Sequence, residues 1–401
     1  MVVRVTKPAF NLREKLTELS VPVGTHGSQL MKSVDASESF SLVRAGRKNM
    51  IINGAMSINQ RNGGSSYVPT NSAATYGGPD RWCVGDWTDG SLSVNMDGDP
   101  PNQPLTGVGQ FQKAMQIACS GTDTSLAAAQ NCHFFQNIEG YNTTHLEWGT
   151  PNAKPVTLSF WIKTNKAGIY AVGLENNDTG RNCIREFYHS GDSRWKKFVL
   201  TYPGSTDGNW EKTNGIGIRV RFCLASGTTY DDGKDGIWVS TDELTAGRQT
   251  NFMDSTNNRF FITGVQLEEG NAATPFEHRL YPEDLALCQR YYYRHCNETY
   301  ETIGAGMIYY SGTGYVPCYF PVTMRTTPTF HHTSGGSGAY IYQVLVSNTA
   351  LYYHVLGIES NKTSPAMAVV TVGGPSIASR SGEAFVLSAH TSALVAFVAE
   401  L

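Results

Sequence analysis

Residues 49–281 form a succession of short runs in which apolar and polar side chains alternate, each ended by turn residues, and no amphipathic helical stretch interrupts them. The alternation is cleanest in Val156, Leu158, Phe160 and Ile162 set against Thr157, Ser159, Trp161 and Lys163. A period of two means that each run has one face for a core and one for solvent. Further strands are expected around Trp82 and Trp87, ending at Asp89-Gly90, and at 115–118, 133–136, 168–174, 195–201, 215–224, 236–239 and 260–267. Many short strands without intervening helices argue for an antiparallel sandwich of jelly-roll type.

Residues 260–294 divide the chain. Phe261, Thr263, Val265 and Leu267 alternate with Ile262, Gly264 and Gln266, as expected of the last strand of the upstream domain. Pro275 then removes a ladder donor. Pro282, Glu283 and Asp284 have the composition of a first helical turn, with Leu285, Cys288 and Tyr292 on one face. This helix is expected to be a hinge between an attachment arm and jelly roll before it (1–48 and 49–281) and a second β-domain after it (282–401).

The phrases Gly264-Val-Gln-Leu-Glu-Glu-Gly270, Thr274-Pro-Phe-Glu277 and Cys288-Gln-Arg-Tyr-Tyr292 resemble a signature of tailed-bacteriophage virion proteins of the tail-fibre or capsid-fibre type. In these, a jelly roll like those of carbohydrate-binding modules precedes a C-terminal β-domain. Asn49-Met-Ile-Ile-Asn-Gly54 resembles the opening strand of such jelly rolls, and Phe320-Pro-Val-Thr-Met-Arg325 resembles a phrase leading into the distal domain. The resemblance implies a structural virion protein made in a host cytoplasm, and none of its phrases is catalytic.

The formal net charge of −3 gives no electrostatic reason to bind nucleic acid or an anionic membrane. No run of about 18 apolar residues is present, which argues against membrane insertion. The 8 cysteines lack metal-ligand spacing and read as reduced, buried small side chains.

In the first 48 residues, Leu12, Leu16 and Leu19 form a helical stripe too short to be stable alone, and Phe40 is among the scattered apolar anchors that follow. The segment is expected to attach the chain to other virion proteins of tail or capsid. Eight short strands are expected from residue 307 onward, enough for a second jelly roll. Its last segment, 393–401, is apolar on both faces. Val395 and Phe397 are therefore expected at an oligomer interface, and fibre-type relatives point to a homotrimer.

No serine-nucleophile, phosphate-loop, zinc-protease or dinucleotide motif is present. Glu147, Glu175, Asp178 and Glu186 are scattered carboxylates on β-loops, so no enzyme activity is expected. Asp231, Asp235 and Asp242 occupy ligand positions of a calcium-loop pattern that lacks its third ligand, and an Asp-Gly hairpin turn explains the same residues. The expectation is no cofactor, with a structural calcium as the alternative. Aromatic rings near turns carry the binding signal, because indole and phenol faces stack on sugars while neighbouring polar groups bond hydroxyls. Trp87, Trp148 and Trp210, with Tyr67 and Tyr76, are the candidate ligand-binding residues. Together these readings describe a fibre or appendage that adheres to a host-surface glycan. The alternatives are a capsid-attached fibre or decoration protein, or a glycan depolymerase.

Overall fold

The computed structural model describes residues 48–63, 65–97, 111–296, 298–310, 313–334, 340–346, 349–353, 356–373 and 381–401. The arm anchors Leu12, Leu16, Leu19 and Phe40 lie outside the described residues. The architecture is all-β, two antiparallel sandwiches in tandem.

The first sandwich comprises β1 (Ala73–Tyr76), β2 (Cys83–Asp86), β3 (Ser91–Asp97), β4 (Ala114–Gly121), β5 (Asn131–Glu139), β6 (Val156–Thr164), β7 (Gly168–Asn176), β8 (Arg181–His189), β9 (Lys196–Tyr202), β10 (Ile216–Ser226), β11 (Trp238–Val239) and β12 (Arg259–Glu269). They form a seven-stranded sheet, β1-β2-β5-β10-β7-β8-β11, facing a five-stranded sheet, β3-β4-β12-β6-β9. The alternation seen in β6 places Val156, Leu158, Phe160 and Ile162 between the sheets, where they meet Phe134, Tyr170, Val220, Phe222 and Phe260.

In β12 the alternation changes phase. Phe260 and Ile262 face the core, Phe261 lies outside it, and then Val265 and Leu267 face inward. A register break in the pairing with β6 between Thr263 and Gln266 causes the switch. Gly264 sits in that break at φ 63°, and a Cβ there would come within 2.5 Å of Phe111 Cζ. The expected face of Phe261, Thr263, Val265 and Leu267 is thus split by a bulge.

The segment 49–54 is not a strand, because the chain turns at Asn53 with φ 55°. It does occupy the edge of β12 beyond the pairing with β4: Met50 N donates to Leu267 O at 2.9 Å and Val265 N to Gly54 O at 3.0 Å. The phrases around it build a clasp. Glu268 accepts from Gln266 Nε2, Thr274 N and Thr274 Oγ1, while Glu277 accepts from Lys48 N and Asn49 N. These residues have a backbone-fastening role.

The single α-helix among the described residues, α1 (Tyr281–Gln289), starts with Pro282 in its first turn. Tyr292 does not share its face. The helix ends at Gln289 and Tyr292 opens the next strand. Nor is α1 a free hinge, since Leu285, Leu287 and Cys288 pack with Ile52, Ile58, Tyr291 and Leu401 between the two sandwiches.

The second sandwich comprises β13 (Tyr292–Cys296), β14 (Thr302–Tyr310), β15 (Thr313–Tyr319), β16 (Thr329–His332), β17 (Tyr342–Val346), β18 (Thr349–Tyr353), β19 (Gly357–Ile358), β20 (Met367–Gly373), β21 (Gly382–Ser388) and β22 (Val395–Val398). A three-stranded sheet, β13-β22-β16, faces a seven-stranded one, β18-β17-β21-β14-β15-β20-β19. Val395 and Phe397, expected at an interface between copies, are instead fully buried in this chain's own core beside Ile303, Val316 and Val370. β22 is apolar on both faces because it is a central strand, paired on both edges. Its other face also abuts the first sandwich: Arg294, opposite Ala396, donates to Gln60 O at 2.8 Å.

Charged groups lock the junction. Arg81, fully buried, pairs with Glu400, lies 3.5 Å from the Tyr291 ring centre and donates to Asn137 O at 2.7 Å. Arg290 and Tyr291 both donate to the Glu139 carboxylate, at 2.6 Å each. Arg325 donates to the carbonyls of Ala399, Glu400 and, across the junction, Asn214.

Candidate functional site

The outer face of the seven-stranded sheet of the first sandwich carries an unusual set of side chains. In β5 the apolar members Cys132, Phe134 and Ile138 face the core, which leaves His133, Phe135 and Asn137 on the outside. In β10, Ile218, Val220 and Phe222 face inward and leave Arg219 and Arg221 outside. Register then sets these residues side by side. Arg221 lies opposite Phe135 on one edge and Gly173 on the other, while Arg219 lies between Asn137 and Glu175.

Trp87 completes the face from the loop after β2. Its ring folds back over Gly85, where a Cβ would come within 2.2 Å of Trp87 Cζ3, and stacks on His133 with centroids 5.1 Å apart at 20°. His133 lies 5.8 Å from Phe135, and the Arg219 guanidinium sits 4.8 Å from the Phe135 ring centre. The result is a row of three rings ending in a guanidinium.

The polar groups beside that row hold one another in place. Glu175 lies 3.3 Å from Arg221 Nε and 3.6 Å from Arg219 Nη1, and Arg221 also pairs with Asp242 at 2.6 Å. Arg219 Nε donates to Asn137 Oδ1 at 2.8 Å. Burial, reinforced by the charges of Arg221 and Arg219, holds the His133 pKa well below its ordinary value, so the imidazole is neutral. Its Nδ1 is 2.9 Å from Asn131 Oδ1, which makes Nδ1 the protonated nitrogen. The row covers itself: His133, Phe135, Asn137, Glu175 and Arg221 are buried, and the half-buried Trp87 and Arg219 are the groups it opens to a ligand, an aromatic ring face and a fixed guanidinium donor suited to a sugar.

The sequence candidates distribute unevenly over this geometry. Trp87 lies on this face, at one end of the row. Tyr76 is on the same side, opposite Cys83, which is in turn opposite Phe135; its ring is half-buried under Arg61. Tyr67 belongs elsewhere, packed against the first core with its hydroxyl donating to Thr75 O at 3.3 Å. Trp148 and Trp210 are interior, a correction to their expected role: they make edge contacts with each other at 4.7 Å and with Trp238 at 5.3 and 5.5 Å. Their indole N–H groups are satisfied by Lys154 O and Asp207 O.

The calcium candidates do not converge. Asp235 pairs with Arg185 at 3.6 Å and accepts from Glu186 N, in a turn completed by Gly236 at φ 75°. Asp242 is bound to Arg221. Among the described residues no group of three His, Cys, Asp or Glu side chains is arranged to hold a metal. Of the scattered carboxylates, Glu175 and Glu186 are paired with arginines, whereas Glu147 and Asp178 are exposed on turns.

His133, Phe135, Arg219 and Arg221 were not singled out from the sequence. Their signal was the outward member of two alternating strands, where His, Phe and Arg stand in place of small hydroxylic residues. Without the register of β5 on β10 nothing joined the two strands.

No protein-family model matches the chain, and no curated protein matches it. Among solved structures it is similar to a putative sugar binding protein from Bacteroides thetaiotaomicron, with TM-score 0.31 and 16% identity over 56% of this chain and 100% of that one. It is also similar to the family 11 carbohydrate-binding module from Clostridium thermocellum in complex with a beta-1,3-1,4-mixed-linked tetrasaccharide, with TM-score 0.26 and 12% identity over 53% of this chain and 98% of that one. A third is the enzymatically active domain of bacteriophage CBA120 tailspike protein 4, with TM-score 0.27 and 11% identity over 55% of this chain but only 21% of that one. At such TM-scores the likeness carries no argument about ligand or activity.

Proposed function

We propose that this chain is a glycan-binding virion component of a tailed phage, a fibre or appendage that adheres to the host surface without cleaving what it binds. The glycan reading is carried by one observation, the half-buried ring of Trp87 and the half-buried Arg219 held on one face of the first sandwich by the buried His133, Phe135, Arg221 and Glu175 beneath them. Sugar rings present C–H faces to aromatic rings and hydroxyls to fixed hydrogen-bonding groups; Trp87 offers the first and Arg219 the second. The phage reading is supported by the phrases around Gly264, Thr274 and Cys288, which here fasten the first sandwich and its junction with the second. Adhesion through one shallow face is weak, so the useful form is a multivalent one.

The test is binding of the full chain to immobilised host-surface polysaccharide, with Trp87→Ala for comparison. The variant is expected to bind about tenfold more weakly, equivalent to about 1.4 kcal/mol, with an unchanged melting temperature. Equal binding by the variant, or none by the unaltered chain, would refute the site. New reducing ends released from the polysaccharide would favour a depolymerase.

A further inference from the structure

The seven-stranded sheet of the second sandwich has a second face that the chain leaves open among the described residues. Ile303, Ile308, Val316, Val344, Val370 and Val386 point into the core. On the other side Met307, Tyr309, Tyr319, Leu345, Tyr352 and Phe385 are between 39% and 74% exposed. Register makes them one surface. Leu345 lies opposite Phe385 and Phe385 opposite Ala305, while Met307 lies opposite Tyr315 and Tyr352 opposite Gln343. Among the described strand positions on this side, Glu383 is the one charged side chain, and the Lys362 ammonium, from the turn before β20, lies 4.3 Å from the Tyr315 ring centre.

Such a face departs from the rule that the outer side of an antiparallel sheet is polar. At the area of whole large side chains, those six expose roughly 500–800 Å². That is larger than the apolar patches most monomers tolerate and close to one partner's share of a standard interface, about 800 Å². Its composition, tyrosines with Met, Leu and Phe and almost no charge, is that of an interface core. A glycan does not fit it, because Met307, Leu345 and Phe385 offer no hydrogen bonds to hydroxyls and their dehydration is best compensated by another apolar surface.

We propose that this face is the contact between copies of this chain. The area meets what a stable self-association needs, and a second copy is the one partner present at matching concentration wherever the chain is made. The interface expected at Val395 and Phe397 thus moves to the opposite sheet of the same sandwich. This inference does not rest on the glycan reading.

The full chain is measured by sedimentation equilibrium at micromolar concentration, unaltered and with Leu345→Lys plus Phe385→Glu. The two charges are opposite in sign and face each other across paired strands, so the sheet tolerates them. The unaltered chain is expected at a multiple of the chain mass and the variant at the mass of one chain, with its β-sheet circular dichroism retained. A monomeric unaltered chain, or a variant of undiminished mass, overturns the proposal. Should the charged pair unfold the sandwich, Tyr309→Ser with Tyr319→Ser removes only exposed rings and must weaken association at least tenfold. If any of these variants loses polysaccharide binding while keeping its full oligomeric mass, the face belongs to sugar and the proposal falls.

Discussion

Trp87 is held flat on the sheet by the absence of one methyl group. Gly85 leaves the space that the indole occupies, and a Cβ placed there would come within 2.2 Å of the ring. Gly85→Ala should displace Trp87 and weaken polysaccharide binding about as much as Trp87→Ala does, while no charge on the face changes; binding isotherms of the two variants check this. His133 makes a second, pH-based prediction. Its folded pKa lies well below its unfolded value, so the imidazole of the native chain does not titrate near pH 6.5. Binding should show no step between pH 8 and pH 6, and a sigmoidal loss centred near 6.5 would contradict a neutral, buried His133. In the sequence, proximity to turns was the clue to Trp87, Trp148 and Trp210 alike, yet it separated only the first. Gly149 and Gly208, at φ 84° and 85°, turn the chain so that Trp148 and Trp210 fold inward onto Trp238. A left-handed glycine reverses a chain, and the residue types alone do not say toward which side.

Among the elements, β12 shows where strand patterns are readable and where they fail. Its existence and its place near the end of the first sandwich followed from alternation, as did β6, β10 and β22. Its phase did not, because the bulge at Gly264 moves every later side chain to the opposite face. Gly264→Ala forces a left-handed backbone on alanine and a clash with Phe111, so it should cost about 2–3 kcal/mol and lower the melting temperature. The strands β1, β3 and β8 were not expected: AATY is short, and RNCIREFYH mixes charged and apolar residues on both faces, whereas the period-two alternation of SLSVNMD, which puts Leu92 and Val94 in the core, was legible. In β22 the composition was legible and its meaning was not: two apolar faces signalled burial, but burial by other strands of the same chain.

At the scale of the whole molecule, the two sandwiches are fastened by charges removed from water. Breaking one buried pair exposes the surviving partner to an uncompensated environment, at about 3–5 kcal/mol. Arg81→Met leaves Glu400 with Arg61 at 2.8 Å and removes the stack on Tyr291, so it should loosen the junction. In calorimetry the unaltered chain is expected to melt in one transition and the variant in two. Acid acts on the same junction in opposing directions. Burial raises the Glu139 carboxyl, but the hydrogen bonds from Arg290 and Tyr291 outweigh it and leave the pKa below its usual value. The stability Glu139 contributes is present above the ordinary carboxylate range and is lost as pH falls through its lowered folded pKa. Asp80 behaves oppositely: burial pushes it up to about 6 against hydrogen bonds from Gln60. Between pH 4 and 6 the folded chain therefore holds a proton that the unfolded chain releases, and stability falls as pH rises across that window. Asp80→Asn should flatten this part of the melting-temperature profile.

The eight cysteines give the molecule an internal clock. All are buried: Cys83, Cys119, Cys132, Cys183 and Cys223 in the first sandwich, Cys288 on the junction helix, Cys296 and Cys318 in the second. Burial pushes the thiols of Cys83, Cys183, Cys223, Cys296 and Cys318 up to about 12, so none of these carries appreciable thiolate at neutral pH. An alkylating reagent meets them only when the protein around each one opens. The order in which peptides acquire the label under native conditions would thus record which sandwich breathes first and whether the junction parts before either.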